Sequence, residues 1–331
     1  MASLRGMEAV ELVDRLLAGD RRALARVLTR VEDGSTDRLR EVVRLLHPHT
    51  GRARLVGVTG SPGVGKSTLT SALIAHWRSA GRTVGVLAVD PSSPFTGGAL
   101  LGDRVRMQDH VLDQGVFVRS MASRGHLGGL SWATPQALLV LDAAGFDVVL
   151  VETVGVGQAE VEIASLADTT VVTLAPGMGD AIQAAKAGIL EVADVFCVNK
   201  ADRDGADRTV RELRDMQALG HGDWLPPIRT TVASAGTGVA ELAEAIDRHR
   251  GWLEESGELA ARRQARARSQ VRDVAVEAVR SALARLEDGD LLARLAGRVA
   301  ARELDPYAAA DDLLVTLEGR GIVAAERPGG G

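Results

Sequence analysis

The chain has 331 residues, 46% of them hydrophobic, and a formal net charge of −5. This is ample for one sizeable core with smaller appendages, and it supplies no general basic field for nucleic acid or an anionic membrane. The single cysteine, Cys197, rules out an internal disulfide and, within the apolar run VFCVN, reads as a small core residue in a reducing compartment.

The opening segment MASLRGMEAVELVDRLL has no long apolar run, so no secretory signal is expected. No stretch approaches the ~20 apolar residues that span a bilayer, and a cytoplasmic protein is the default expectation. Residues 7–47 read as helices: AVELVDRLLAG, RRALARVLTRVEDG and TDRLREVVRLL each place apolar residues three and four apart. HPHTGR then breaks the pattern, and HPH reads as a turn.

From residue 53 the period changes. Six short β-branched runs appear, RLVGVT, TVGVLAVD, FDVVLVE, DTTVVTLA, DVFCVN and PIRTTVA, separated by helical patterns at 66–80, 131–144, 182–192, 205–219 and 238–250. This alternation predicts an α/β fold, a mostly parallel sheet covered by helices on both faces. In such sheets the ligand lies beyond the carboxyl ends of the strands.

At the first strand end stands Gly60-Ser61-Pro62-Gly63-Val64-Gly65-Lys66-Ser67, followed by Thr68. It satisfies every fixed position of G-x-x-x-x-G-K-[ST], between a strand and a helix, and so predicts a phosphate-binding loop. Glycines allow backbone N–H groups to point at phosphate oxygens, and the following helix aims its N-terminus at the same anion. Lys66 is expected on the β- and γ-phosphates and Ser67 on Mg²⁺.

Two other strand ends carry acids: Asp90 closes VLAVD, and Glu152 closes VVLVE where an Asp is more usual. Either carboxylate can hold Mg²⁺ directly or through water. Between them, PSSPFTGGALLGDRVRM reads as a long lid or switch loop, with Asp103 available to the metal shell. Gln158 is not spaced after ETVG to orient an attacking water, so slow intrinsic hydrolysis is expected until a partner orders the loops.

Asn199-Lys200-Ala201-Asp202 ends the fifth predicted strand. Such an N-K-x-D element selects guanine, because the Asp202 carboxylate accepts from N1–H and the N2 amine together, a donor pair that adenine lacks. Asn199 is expected to tie this loop to the phosphate loop, and the Lys200 stem to lie over the base. TTVASAGTG, with Thr231, Val232 and Ala233, is expected to offer backbone N–H groups to the guanine carbonyl. Beyond residue 256 the chain is helical again, and Arg262, Arg263, Arg266 and Arg268 read as a solvated helix face.

The strings GVLAVDPSSPFTGGALLGDRVRM, VETVGVGQAE, APGMGDAIQAAKAGILEVAD, NKAD and DPYAAADDLL together resemble the methylmalonyl-CoA-mutase-associated G proteins, whose older name is lysine/arginine/ornithine transport kinases. The resemblance runs from the first helices to about residue 320. It implies a SIMIBI-class P-loop NTPase with an N-terminal helical segment (1–52), a GTP-binding domain (53–255) and a C-terminal helical arm (256–331) that makes a homodimer. It also implies GTP and Mg²⁺ as ligands, and an adenosylcobalamin-dependent acyl-CoA mutase as partner, with GTP hydrolysis gating cofactor delivery and protecting the mutase. Asp90, Asp103 and Glu152 look like its metal and switch carboxylates. Lys186 looks like a switch lysine that reaches the nucleotide when the partner docks. The family usually has an acid where this chain has Ala181. A small-molecule kinase acting on arginine or ornithine, and a nickel metallochaperone GTPase, are the alternatives; neither a separate acceptor domain nor a His-rich tract stands in the sequence.

Overall fold

The computed structural model describes residues 2–32, 36–91, 110, 112–123, 133–153, 159–177, 191–218, 223–287 and 290–319. Three helices come first: α1 (Ala2–Leu17), α2 (Arg21–Glu32) and α3 (Thr36–Leu46). On α2 the apolar spacing puts Leu24, Val27, Leu28 and Val31 on one buried face. Asp20 caps that helix, its Oδ1 accepting from the N–H groups of Arg22 (2.8 Å) and Ala23 (3.2 Å). His47–His49, predicted as a turn, forms one turn of 3-10 helix.

Seven parallel strands follow in the order β3-β2-β4-β1-β5-β6-β7: β1 (Arg54–Thr59), β2 (Val84–Pro91), β3 (Val116–Ser123), β4 (Val148–Thr153), β5 (Thr169–Leu174), β6 (Val195–Asn199) and β7 (Ile228–Thr231). The connecting helices are α4 (Lys66–Ser79), α5 (Ala133–Ala143), α6 (Ala159–Leu166), α7 (Ala206–Gln217) and α8 (Val239–Ser256). Six strands are predicted from the sequence and found. The seventh, β3, falls in what reads as loop. It is an edge strand whose run VFVRSMAS is broken by Arg119 and Ser120, so it lacks the apolar continuity of the central strands. Arg119 pairs there with Glu32 and donates to Thr29 Oγ1 at 3.2 Å, which fastens the edge strand to α2. Helix α6 is also absent from the sequence prediction, and the helix expected at 182–192 falls almost wholly outside the described residues.

Strand side chains alternate between the two faces of the sheet. On one face Val56, Val58, Val86, Val148 and Leu150 meet Leu69, Leu73, Ile74 and Trp77 of α4 and Leu242 and Ile246 of α8. On the other, Leu55, Leu87, Val149 and Val151 meet α5, and the apolar faces of α1–α3 continue the same core. Each fully buried Leu or Ile contributes about 1.5–3 kcal/mol. Asp142 on α5 fixes the entry into β1 by accepting from the N–H groups of Gly51 (2.6 Å), Arg52 (3.1 Å) and Ala53 (2.8 Å).

The chain forms two compact units, residues 1–263 and 264–331. The first turn of α9 (Glu258–Glu287) lies in the first unit, and here the structure corrects the sequence reading of Arg262 and Arg263, whereas Arg268 is exposed as that reading expects. Arg262 donates to both carboxylate oxygens of the buried Asp194 (2.9 and 3.0 Å). Arg263 donates to the buried Asp168 (3.0 Å) and to Gly51 O (2.8 Å). The charge run looks solvated in sequence because its partners lie 68 and 95 positions away. The second unit holds the rest of α9 with α10 (Asp290–Ala300) and α11 (Pro306–Gly319). Leu295 and Ala309 are buried there, Asp305 caps α11, and Val271, Val274, Val276, Tyr307, Leu314 and Val315 are exposed.

Candidate nucleotide site

The loop between β1 and α4 has the backbone that its glycines predict. Gly65 has φ +94° and is the residue from which α4 starts. A side chain there would be strained, and its Cβ would lie 2.6 Å from Asn199 Nδ2. Gly60 has φ +138°, and a Cβ would lie 2.1 Å from the carbonyl oxygen of Thr173 on β5. Both positions combine left-handed backbone with close approach of another element, so glycine is required on two counts. Ser67 is buried and Thr68 exposed on the first turn of α4; Pro62 and Gly63 are exposed at the crest of the loop.

Lys66 is buried, and its Nζ donates to the carbonyl oxygens of Gly60 (2.6 Å) and Ser61 (3.2 Å). The ammonium is thereby held over the loop. Ser67 Oγ donates to Glu152 Oε1 at 2.6 Å. The sheet register explains the meeting: Glu152 on β4 lies level with Val58 of β1, just before the loop. The P-loop hydroxyl and the strand-end carboxylate, each expected on Mg²⁺, thus meet directly, both groups buried. Asp90 stands at the end of β2, two residues beyond Ala88, the residue level with Glu152. Asp103, Gln158, Ala181 and Lys186 lie outside the described residues.

The Asn199–Asp202 turn meets the loop from the other side. Asn199 is buried at the end of β6, and its Nδ2 donates to Val64 O at 2.9 Å. Its Oδ1 accepts from Thr231 Oγ1 and from the Ala233 N–H, each at 3.1 Å. Lys200 takes a left-handed conformation, φ +57°, and its Nζ donates to Gly63 O at 2.6 Å. The tether expected of Asn199 thus ends on the phosphate loop, and Lys200, expected only to lay its stem over the base, adds a second one. Asp202 is exposed.

The segment after β7 differs from expectation. The Val232 N–H donates to Thr237 O (3.0 Å) and the Ala233 N–H to Asn199, so both are used within the protein. Thr231 is buried and its hydroxyl faces Asn199, an engagement that no sequence signal announces. Cys197, also buried, lies 3.2 Å from Thr231 Oγ1 through its Sγ, and burial pushes its thiol up to about 12. It is the inert core thiol that its apolar run suggests.

A family model described as methylmalonyl Co-A mutase-associated GTPase MeaB matches residues 24–288. The chain belongs to the MeaB family. A protein described as a putative GTPase of Pyrococcus horikoshii is 49% identical over 94% of this chain and 98% of its own length. A mouse protein described as a mitochondrial methylmalonic aciduria type A homolog is 36% identical over 76% of this chain and 66% of its own. Among solved structures, one described as a LAO/AO transport system kinase is 29% identical, with a TM-score of 0.67 and coverage of 94% of this chain and 97% of that one. The fold of this MeaB-family chain is that of a SIMIBI-class P-loop NTPase, all seven strands parallel. Among the described residues no helix is long and apolar enough to cross a membrane, and no three His, Cys, Asp or Glu side chains converge as a metal site would require.

Proposed function

We propose that this chain binds and hydrolyses GTP and uses that cycle to gate cofactor loading into, and to protect, an adenosylcobalamin-dependent acyl-CoA mutase of the methylmalonyl-CoA mutase type. The bond from Asn199 Nδ2 to Val64 O carries the nucleotide half of this reading, because it joins a phosphate loop to an N-K-x-D turn in one rigid cradle. Family membership and the description of the mouse relative support the mutase half.

The chemistry follows from the residues. Asp202 accepts from guanine N1–H and N2–H, and the Lys200 stem lies over the purine. On triphosphate binding, Lys66 Nζ exchanges the carbonyls of Gly60 and Ser61 for β- and γ-phosphate oxygens. The α4 N-terminus and the loop N–H groups hold the same anion. Ser67 Oγ and Glu152 Oε1, two hard oxygens 2.6 Å apart, would hold Mg²⁺, with Asp90 and Asp103 as the further carboxylates this reading assigns to it. That ion would supply positive charge to neutralise the phosphates. Lys186 arrives with the docked partner and stabilises the transferring phosphoryl group, so turnover is slow alone and stimulated by the mutase.

In this reading the chain works as a cytoplasmic homodimer. The exposed Val271, Val274, Val276, Leu314 and Val315 of the second unit support a self-association surface. The decisive experiment pairs the purified chain with each B12-dependent mutase of the same cell and measures GTP hydrolysis. Stimulation by one mutase, reduced on Lys186→Ala with GTP affinity kept, is expected. No stimulation by any of them, or phosphoarginine formed from GTP and arginine, would overturn the proposal.

A further inference from the structure

The geometry points to Thr231 as a positioning residue for guanine selectivity: through its side-chain hydroxyl, itself oriented by Cys197, it fixes the Asn199 amide that locks the base-reading turn onto the phosphate loop. The inference rests on the guanine reading above and adds residues that do not touch nucleotide.

The argument is one of donors and acceptors. An amide side chain has nearly the same shape with its oxygen and nitrogen exchanged, so its orientation is set by its partners. Val64 O can only accept, and the Ala233 N–H can only donate. Nδ2 therefore faces the phosphate loop and Oδ1 faces β7. Thr231 Oγ1 lies 3.1 Å from Oδ1, which accepts only, so the single hydroxyl hydrogen of Thr231 points there. With that hydrogen used, the 3.2 Å contact between Thr231 Oγ1 and Cys197 Sγ is completed only if the thiol donates. Cys197 is fully buried, and burial keeps it protonated for that task.

The chain of hydrogen bonds thus runs in one direction, Cys197 S–H to Thr231 Oγ1, Thr231 O–H to Asn199 Oδ1, Asn199 N–H to Val64 O. Thr231 holds the turn a second time through its backbone, its carbonyl accepting from the Ala201 N–H at 3.0 Å. Thr231 is expected from sequence only to offer its backbone N–H to the guanine carbonyl. Its burial instead places its action on Asn199, one residue from Lys200 and three from Asp202.

The test compares wild type with Thr231→Val, Thr231→Ser, Cys197→Ala and Cys197→Ser, measuring GTP and ATP affinity and GTP turnover. Thr231→Val removes one of two bonds to Oδ1, and GTP affinity is expected to fall about five- to tenfold through faster release. ATP affinity, which does not use the Asp202 turn, stays the same, and kcat at saturating GTP stays within about twofold. Thr231→Ser restores the GTP-to-ATP ratio. Cys197→Ala lowers that ratio about twofold, and Cys197→Ser, which keeps a donor, does not. If Thr231→Val fails to fold, the two cysteine variants decide the matter. A ratio unchanged in Thr231→Val or, failing that, in Cys197→Ala would overturn the inference; so would an equal loss for both nucleotides, the mark of general loosening. A wild-type protein that does not prefer GTP would instead refute the guanine reading, and this inference with it.

Discussion

His249 makes the stability of the first unit sensitive to mild acid. The ring is fully buried on α8, its Nδ1 2.9 Å from Thr169 Oγ1 and its Nε2 3.2 Å from Asp194 Oδ1. Burial is the largest influence and lowers its pKa from 6.5 to about 4; the nearby Asp194 and Asp168 oppose the fall and Arg262 adds to it. The folded pKa lies below the unfolded one. As pH drops below 6.5 the unfolded chain takes up the proton first, and stability present above that value is lost progressively toward pH 4. At ~1.4 kcal/mol per unit, the loss is about 1 kcal/mol at pH 6, about 2 at pH 5 and about 3 below pH 4. Urea unfolding at pH 7.5, 6 and 5 measures it, followed by tryptophan fluorescence. Trp224 and Trp252 lie against the imidazole, with ring centres 4.8 and 5.8 Å away, and report on this cluster directly. The same series on His249→Gln removes the titrating group while leaving the other ionisable groups in place, so the difference between the two isolates it. Parallel pH dependence in the two proteins would refute the reasoning.

Gly65→Ala should weaken GTP binding at least about tenfold by calorimetry, because the new Cβ displaces the Asn199 amide and the backbone resists φ +94°. Glu152→Gln keeps an oxygen for Ser67 but removes the charge, and should raise the Mg²⁺ concentration needed for half-maximal GTP hydrolysis about 10- to 100-fold. Arg262→Ala strips Asp194 of its bidentate partner; since the arginine side chain is 34% exposed, the expected loss is about 1–3 kcal/mol in urea unfolding, below the range for a fully buried pair. The same variant should raise the pKa of His249, seen as a titration of the tryptophan fluorescence at higher pH.

Much of the nucleotide site is legible in the sequence because its parts are local. Gly60, Gly65, Lys66 and Ser67 belong to one loop whose spacing follows from wrapping backbone around phosphate, and Asn199, Lys200 and Asp202 belong to one turn. The central strands are legible because burial on both faces leaves apolar runs in them, VVLV in β4 and VFCV in β6. Edge strand β3, half solvated and interrupted by Arg119, carries no such signal. The arginines at 262 and 263 mislead for the opposite reason: a helix face rich in charge looks the same in sequence whether water or a buried aspartate receives it.

The sequence by itself determined the chemistry on offer: a phosphate loop, an N-K-x-D turn, strand-end carboxylates and an alternation of strands and helices. Each of these is encoded by residues close together along the chain. Only the tertiary structure decided which groups meet: Glu152 with Ser67 across 85 positions, Asn199 with Val64 across 135, and Arg262 with Asp194 across 68. Those meetings depend on strand order and register, which no local pattern specifies, and on burial, which makes an unmet polar group costly enough that the fold brings its partner to it.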